Sequence, residues 1–126
     1  MNPILIADDE FDLRMIVSDL LQSKGFETIL ASDGEEALAA AIRERPRLIV
    51  LDLSMPKMDG YAVVRRLREL PDLKDTPVIA FTAHALKGDD EKALRAGCDS
   101  YVSKPFQPEV LLAEINRLLS PRPAAQ

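Results

Sequence analysis

Four short runs of apolar residues constrain the fold of this chain more than any other feature, because each one ends at a polar side chain. The runs cover residues 4–7, 48–51, 78–81 and 101–103, and the polar residues at their ends are Asp8-Asp9, Asp52, Thr82 and Lys104. Short, nearly uniform runs rich in Ile, Leu and Val are typical of strands that are covered on both faces. A weaker run, residues 27–31, predicts an edge strand.

Helical patterns alternate with these strands. The first has an apolar stripe at i, i+3, i+4, i+7 and i+8 that Gly25 is expected to end, formed by Leu13, Ile16, Val17, Leu20 and Leu21. Asp33 and Glu36 have the spacing of a capping box for the second helix. Three more helices are predicted, over residues 60–70, 88–96 and 108–119. Five β-α units predict an α/β fold, a single doubly wound five-stranded parallel sheet, (βα)5, with helices on both faces.

Length and composition indicate a single domain. The chain has 126 residues, of which 47% are hydrophobic, enough to bury a sizeable core. We predict a folded domain over residues 1–120 and a flexible tail or linker stub over residues 121–126. The formal net charge of −5 argues against non-specific nucleic-acid binding, and no helix-turn-helix fits in the chain, so no direct DNA binding is expected.

The amino terminus has no basic region followed by a long apolar stretch, and no apolar run approaches the ~20 residues of a membrane span. Cys98 is the single cysteine, which excludes an internal disulfide. These features predict a cytoplasmic protein that does not enter the membrane.

Three aspartates are expected to meet at one edge of the sheet, because ligands of such folds bind outside the carboxyl ends of the strands. Asp8, Asp9 and Asp52 would repel one another by about 4 kcal/mol per pair at ~4 Å and an effective dielectric of ~20. A bound cation would relieve this repulsion, and oxygen-only ligands favour magnesium, with manganese or calcium as alternatives. The acidic run Asp8-Asp9-Glu10 alone is equally explained as the start of a helix, whereas Asp52 caps no helix directly.

Two further strand ends carry polar groups suited to a phosphoryl ligand. The ammonium of Lys104 could pair with the carboxylates and then with phosphate, although most lysines are simply solvated. Pro105 restricts Lys104 to an extended conformation and suits a turn, in the cis or the trans form. The hydroxyl of Thr82 could bind a phosphoryl oxygen, although a β-branched residue is ordinary in a strand.

From Ile4 to Leu119 the chain resembles the receiver domains of bacterial two-component response regulators, which have a flavodoxin-like fold. The matching segments, all in the same order and at the same separations, are Ile6-Ala7-Asp8-Asp9-Glu10, residues 52–60 from Asp52 to Gly60, Thr82-Ala83 and Lys104-Pro105-Phe106. The segment from Ala83 to Cys98 is most similar to receivers that stand alone or are fused to hybrid histidine kinases.

The resemblance implies a role for each residue of the site. Asp52 would accept a phosphoryl group from a phosphohistidine, in a reaction that needs Mg²⁺ or Mn²⁺. Asp8 and Asp9 would hold the metal together with Asp52 and the main-chain carbonyl of Ser54. Lys104 would contact the phosphoryl oxygens.

The resemblance also implies a switch. Thr82 would move to bind a phosphoryl oxygen, and Tyr101 would turn inward after it. The change would be relayed to the surface formed by the fourth helix, the last strand and the last helix. Ser54 and His84 occupy positions that vary in the family and modulate access of the hydrolytic water.

The main hypothesis is therefore a phospho-accepting signalling switch without an attached output domain, regulatory rather than enzymatic, although it would assist its own phosphorylation and dephosphorylation. Its expected partners are a histidine kinase or a histidine phosphotransfer protein and a downstream protein target, and it would be a monomer or weak dimer. A receiver excised from a hybrid kinase or a larger regulator is the closest alternative.

Two other classes of protein are also compatible with an α/β sheet. An aspartyl-phosphate hydrolase also uses an aspartate after a buried strand, but it needs a second aspartate where this chain has Ser54. A nucleotide- or flavin-binding module needs a glycine-rich phosphate loop after the first strand, where Asp8-Asp9-Glu10-Phe11 would repel phosphate.

Overall fold

The chain forms five β-α units in a computed structural model that describes residues 2–53, 55, 57–82, 89–104 and 107–120. The strands are β1 (Ile4–Ala7), β2 (Thr28–Ala31), β3 (Leu48–Asp52), β4 (Val78–Thr82) and β5 (Ser100–Ser103). The helices are α1 (Phe11–Ser23), α2 (Gly34–Glu44), α3 (Gly60–Glu69), α4 (Asp89–Ala96) and α5 (Pro108–Leu119). The proposed tail, residues 121–126, lies outside the described residues.

The strands form one parallel sheet in the order β2-β1-β3-β4-β5, which confirms the predicted fold class. The weak run of residues 27–31 provides the edge strand β2. The chain leaves β1 toward β2 on one side and returns to β3 on the other, so the topological switch point lies between β1 and β3.

Side chains of the central strands alternate between two cores. One core lies against α2 and α3 and includes Leu5, Ile49 and Leu51, whereas the other lies against α1 and α5 and includes Ile6 and Val50. Because both faces of β1 and β3 are buried, these strands are apolar at almost every position. Polar groups are therefore confined to the strand ends.

The second helix begins as the sequence predicts. The Asp33 side chain accepts a hydrogen bond from the main-chain nitrogen of Glu36 at 2.8 Å. The Glu36 side chain accepts one in return from the main-chain nitrogen of Ser32 at 3.1 Å. These bonds satisfy amide groups that have no partner within the helix, and they place the start of α2 at the carboxyl edge of the sheet.

Two glycines allow the chain that follows β3 to pack closely. A Cβ atom on Gly34 would lie 1.8 Å from the main-chain oxygen of Met58, and one on Gly60 would lie 2.5 Å from Cα of Leu53. The Gly60 main-chain nitrogen also donates to the Leu53 oxygen at 3.2 Å. This packing positions the segment that follows Asp52.

Among the described residues, none of the helices has the length and apolar character that a membrane span requires. The longest, α1, has 13 residues.

Candidate functional site

The ends of β1 and β3 place two buried carboxylates side by side. Ala7 is the register partner of Leu51, so Asp8 and Asp52 occupy neighbouring positions at the carboxyl edge. Both residues are almost fully buried, with 1% and 3% of their surface exposed. Asp9 follows Asp8 and is exposed. A buried pair of like charges needs a compensating cation.

One oxygen from each of Asp8, Asp9 and Asp52 lies within 4.8 Å of the others, so these three carboxylates could hold a metal ion. Oδ2 of Asp8 is buried and accepts no well-aligned hydrogen bond within the described part of the chain. Oδ1 of Asp8, in contrast, accepts one from the main-chain nitrogen of Glu10 at 2.8 Å. An all-oxygen set with a buried, under-used lone pair fits a hard divalent cation.

Lys104 provides a cation within the cluster. Its Nζ lies 2.8 Å from Oδ2 of Asp8, an ion pair by distance rather than an aligned hydrogen bond, and 3.3 Å from Oδ2 of Asp52. The lysine side chain is only 7% exposed. Burial alone would lower the pKa of Lys104, but the contacts with Asp8 and Asp52 outweigh it and raise that pKa above its ordinary value. Lys104 is therefore a permanent positive charge at neutral pH.

The floor beside Lys104 is aromatic. Phe81 is the register partner of Asp52 in the sheet, and Nζ of Lys104 lies 5.2 Å from the centre of its ring. A cation at this distance from an aromatic face is attracted to it. The contact helps to direct the ammonium group toward the end of β3.

The two residues proposed as a switch lie on neighbouring strands. Thr82 ends β4 opposite Ser103, and Tyr101 lies opposite Ala80. Tyr101 is half-buried and packs against the core on the side of α2 and α3. The backbone of Thr82 thus ends at the same edge as Asp52, whereas its side chain lies outside the described atoms.

The structure therefore brings together four of the predicted site residues: Asp8, Asp9, Asp52 and Lys104. Ser54, His84 and Pro105 lie outside the described residues, and the roles proposed for them stay predictions.

Two charged residues near the site carried no predicted role. Oε1 of Glu10 lies 3.4 Å from Nζ of Lys104, and Nη1 of Arg14 donates to the main-chain oxygen of Asp8 at 2.7 Å. Glu10 lies within a segment that the sequence singled out, so its position next to two aspartates was a usable signal. Arg14 gave no comparable signal, because its partner is a main-chain atom.

Comparison with known proteins identifies the family. The family model described as the response regulator receiver domain matches residues 4–116. The chain belongs to the response regulator receiver domains. Receiver domains act in two-component signalling, where they interact with histidine kinases and downstream targets, and they bind Mg²⁺ at an acidic site.

Curated relatives of this receiver domain include both short and longer proteins. It is 45% identical over 116 residues to a probable transcriptional regulator, ycf27, of Cyanophora paradoxa, and the match covers 92% of this chain and 47% of that protein. It is 39% identical over 103 residues to the polar-differentiation response regulator DivK of Brucella anthropi, covering 82% and 83% of the two chains. The receiver domain thus spans about half the length of the ycf27 relatives.

Solved structures show the same fold. The chemotaxis response regulator CheY4 of Vibrio cholerae is 35% identical, with a TM-score of 0.88, and the match covers 94% of this receiver domain and 99% of CheY4. The receiver domain of the sensor histidine kinase PA1611 of Pseudomonas aeruginosa is 34% identical, with a TM-score of 0.86 and coverage of 94% and 97%. That structure has a magnesium ion coordinated in its active site cleft.

Proposed function

We propose that this receiver domain is a phospho-accepting switch, in which Asp52 accepts a phosphoryl group from a phosphohistidine. The observation that carries the proposal is the position of Lys104, whose Nζ lies 3.3 Å from the Asp52 carboxylate and 2.8 Å from that of Asp8. An ammonium beside a buried carboxylate supports transfer of a negatively charged group to that carboxylate.

The proposed transfer is a displacement at phosphorus. An Asp52 carboxylate oxygen forms the new P–O bond as the P–N bond to the donor imidazole breaks, and the imidazole nitrogen keeps the electron pair and takes up a proton. Lys104 compensates negative charge on the oxygens of the transferring group. The residues that would hold Mg²⁺, or Mn²⁺ in its place, are Asp8, Asp9 and Asp52 with the main-chain carbonyl of Ser54. When bound there, the metal would supply further charge neutralisation.

The proposed response to phosphorylation starts at the ends of β4 and β5. A phosphoryl group on Asp52 would add charge and strong acceptors, which would attract Lys104 and the hydroxyl of Thr82. Tyr101, half-buried beside β4, would then turn inward and re-weight two packings of the surface formed by α4, β5 and α5. Ser54 and His84 would modulate the lifetime of the phosphoryl group.

The partners follow from this chemistry. The donor would be a histidine kinase or a histidine phosphotransfer protein in the cytoplasm, and the output would be a downstream protein target. The similarity to DivK supports a stand-alone switch, whereas the similarity to the PA1611 receiver supports a module of a larger kinase. In either context we propose a regulatory protein, a monomer or weak dimer, rather than an enzyme of high turnover.

The test is to incubate the protein with Mg²⁺ and acetyl phosphate and to locate hydroxylamine-labile label by mass spectrometry. We expect one modified residue, Asp52, and no label in Asp52→Asn or after chelation of the metal. Asp75→Asn, a change in the segment between α3 and β4, serves as the matched control and should leave labelling unchanged. Label that persists in Asp52→Asn would refute the proposal. Steady turnover of a phosphomonoester would instead favour the aspartyl-phosphate hydrolase.

A further inference from the structure

Glu10 begins α1 but does not use its side chain to cap the helix. It is the N-cap residue, with extended backbone angles, and its carboxylate makes no capping hydrogen bond. Asp, Asn, Ser and Thr are the residues that usually perform this role. The Glu10 carboxylate instead reaches across the site to Lys104, which is 94 positions away in the sequence, with Oε1 at 3.4 Å from Nζ.

Lys104 is therefore shared by three carboxylates. Its Nζ lies 2.8 Å from Asp8, 3.3 Å from Asp52 and 3.4 Å from Glu10. The three carboxylates differ in exposure, since the side chains of Asp8 and Asp52 are 1% and 5% exposed but that of Glu10 is 62% exposed. Glu10 thus provides the outer contact of the ammonium group, on the side from which a ligand must enter.

Glu10 also adds charge to the site. With Asp8, Asp9 and Asp52 it makes a fourth negative group around one lysine. A divalent cation gains from this excess of negative charge, whereas a dianionic phosphodonor is repelled by it. The two kinds of ligand should therefore respond to the loss of Glu10 in opposite directions.

We infer that Glu10 is a positioning residue of this site: its charge, held beside Lys104, favours binding of the divalent cation and opposes entry of small anionic phosphodonors. A helix-capping role alone would give neither effect. The inference rests on the proposed function in one respect, because the donor is taken to react at Asp52. Its cation half is independent of phosphorylation.

The test compares Glu10→Gln with the unchanged protein in two measurements. The first is the Mg²⁺ dissociation constant, from an NMR titration without any phosphodonor. The second is the rate of Asp52 labelling at saturating Mg²⁺ over a range of acetyl phosphate concentrations. We expect the dissociation constant to rise about two- to fivefold, as the loss of a largely exposed ion pair implies. We expect labelling at low acetyl phosphate to accelerate by about the same factor, with the rate at saturating donor changed less than twofold.

Two control variants isolate the cause. Glu10→Asp keeps the charge and should stay within about twofold of the unchanged protein in both measurements. Glu35→Gln removes an equivalent exposed acid from the first turn of α2 and should change neither. Raising the salt concentration from 20 mM to 500 mM should shrink the Glu10→Gln effects, because exposed charges are screened.

The inference fails if Glu10→Gln leaves both measurements unchanged, if both ligands respond in the same direction, or if Glu35→Gln has the same effects. It also fails if Glu10→Asp behaves like Glu10→Gln, because charge would then not be the cause. Absence of Asp52 labelling in the unchanged protein would refute the proposed function alone, since the Mg²⁺ titration still reports on Glu10.

Discussion

The guanidinium of Arg68, near the end of α3, donates to the main-chain oxygen of Gly97 through both Nε, at 3.0 Å, and Nη2, at 2.7 Å. Nη2 also donates to the Asp99 carboxylate at 2.9 Å, and Nη1 donates to the Thr76 main-chain oxygen at 2.8 Å. One side chain thus ties together the end of α4, the start of β5 and the segment before β4, at the edge of the sheet opposite Asp52.

Replacing Arg68 should destabilise the fold substantially. We expect Arg68→Ala to lower the free energy of unfolding by about 2–4 kcal/mol, because hydrogen bonds to charged groups contribute about 1.5–3 kcal/mol each and are not additive. Arg68→Lys should recover only part of this loss, since an ammonium cannot reproduce the planar set of donors. Urea unfolding followed by circular dichroism measures both.

Arg66→Ala is the matched control on the same helix. Arg66 pairs with Glu69 at 3.1 Å, but its side chain is 54% exposed. The expected loss is about 0.5 kcal/mol or less. Equal losses for Arg66→Ala and Arg68→Ala would contradict the anchoring role of Arg68.

Gly34→Ala should also be strongly destabilising. The new Cβ would lie 1.8 Å from the Met58 main-chain oxygen, and a backbone atom cannot move aside as a flexible side chain can. We expect a loss of about 3 kcal/mol or more, at the upper end of overpacking costs. At Gly25 the space is open and only the positive φ of +91° is unfavourable, so Gly25→Ala should cost about 1–2 kcal/mol. Thermal unfolding of both variants would reveal whether this order is reversed.

Cys98 should be unreactive in the folded protein. Burial raises the pKa of its thiol to about 12 from the ordinary 9.0, and the opposing charge of Arg68 reduces this shift only in part. The folded pKa lies above the unfolded one, so the neutral thiol contributes its full stability below pH 9 and loses it between pH 9 and pH 12. At pH 8 the thiolate fraction should be about a thousandfold smaller than in the unfolded chain.

The measurement is labelling by Ellman's reagent at pH 8, with and without urea. We expect complete and rapid labelling of Cys98 only in the unfolded protein. Rapid labelling without urea would show that the thiol is accessible and ionised in the native state, contrary to its burial.

Glu114 on α5 should titrate below its ordinary pKa of 4.5, because Arg117 and then Ser100 donate hydrogen bonds to its carboxylate. The folded pKa is the lower one, so these bonds stabilise the fold above pH 4.5, and the contribution disappears as the pH falls through the lowered value. In Arg117→Gln and Ser100→Ala the pKa of Glu114 should move back toward 4.5, more in the first. NMR titration of the carboxyl carbon reports it, and an unchanged pKa in Arg117→Gln would contradict the assignment.

The strands and helices were predictable from local patterns, and so were their boundaries to within one or two residues. Uniform apolar runs indicated buried parallel strands, and the capping pair Asp33 and Glu36 marked the start of α2 correctly. These features are local, since a strand covered on both faces must be apolar at nearly every position and a helix end must satisfy its own amide groups. The sheet order came from the family resemblance, which the structure bears out.

The sequence by itself therefore determined which residues end at the carboxyl edge, namely Asp8, Asp52, Thr82 and Lys104, because strand ends are recorded in the local pattern. Only the tertiary structure decided how they meet. It places Lys104 between Asp8, Asp52 and Glu10, and it places Arg68 against Gly97. Contacts between positions so far apart depend on strand register and on the direction of each side chain, and neither of these leaves a periodic signal in the sequence.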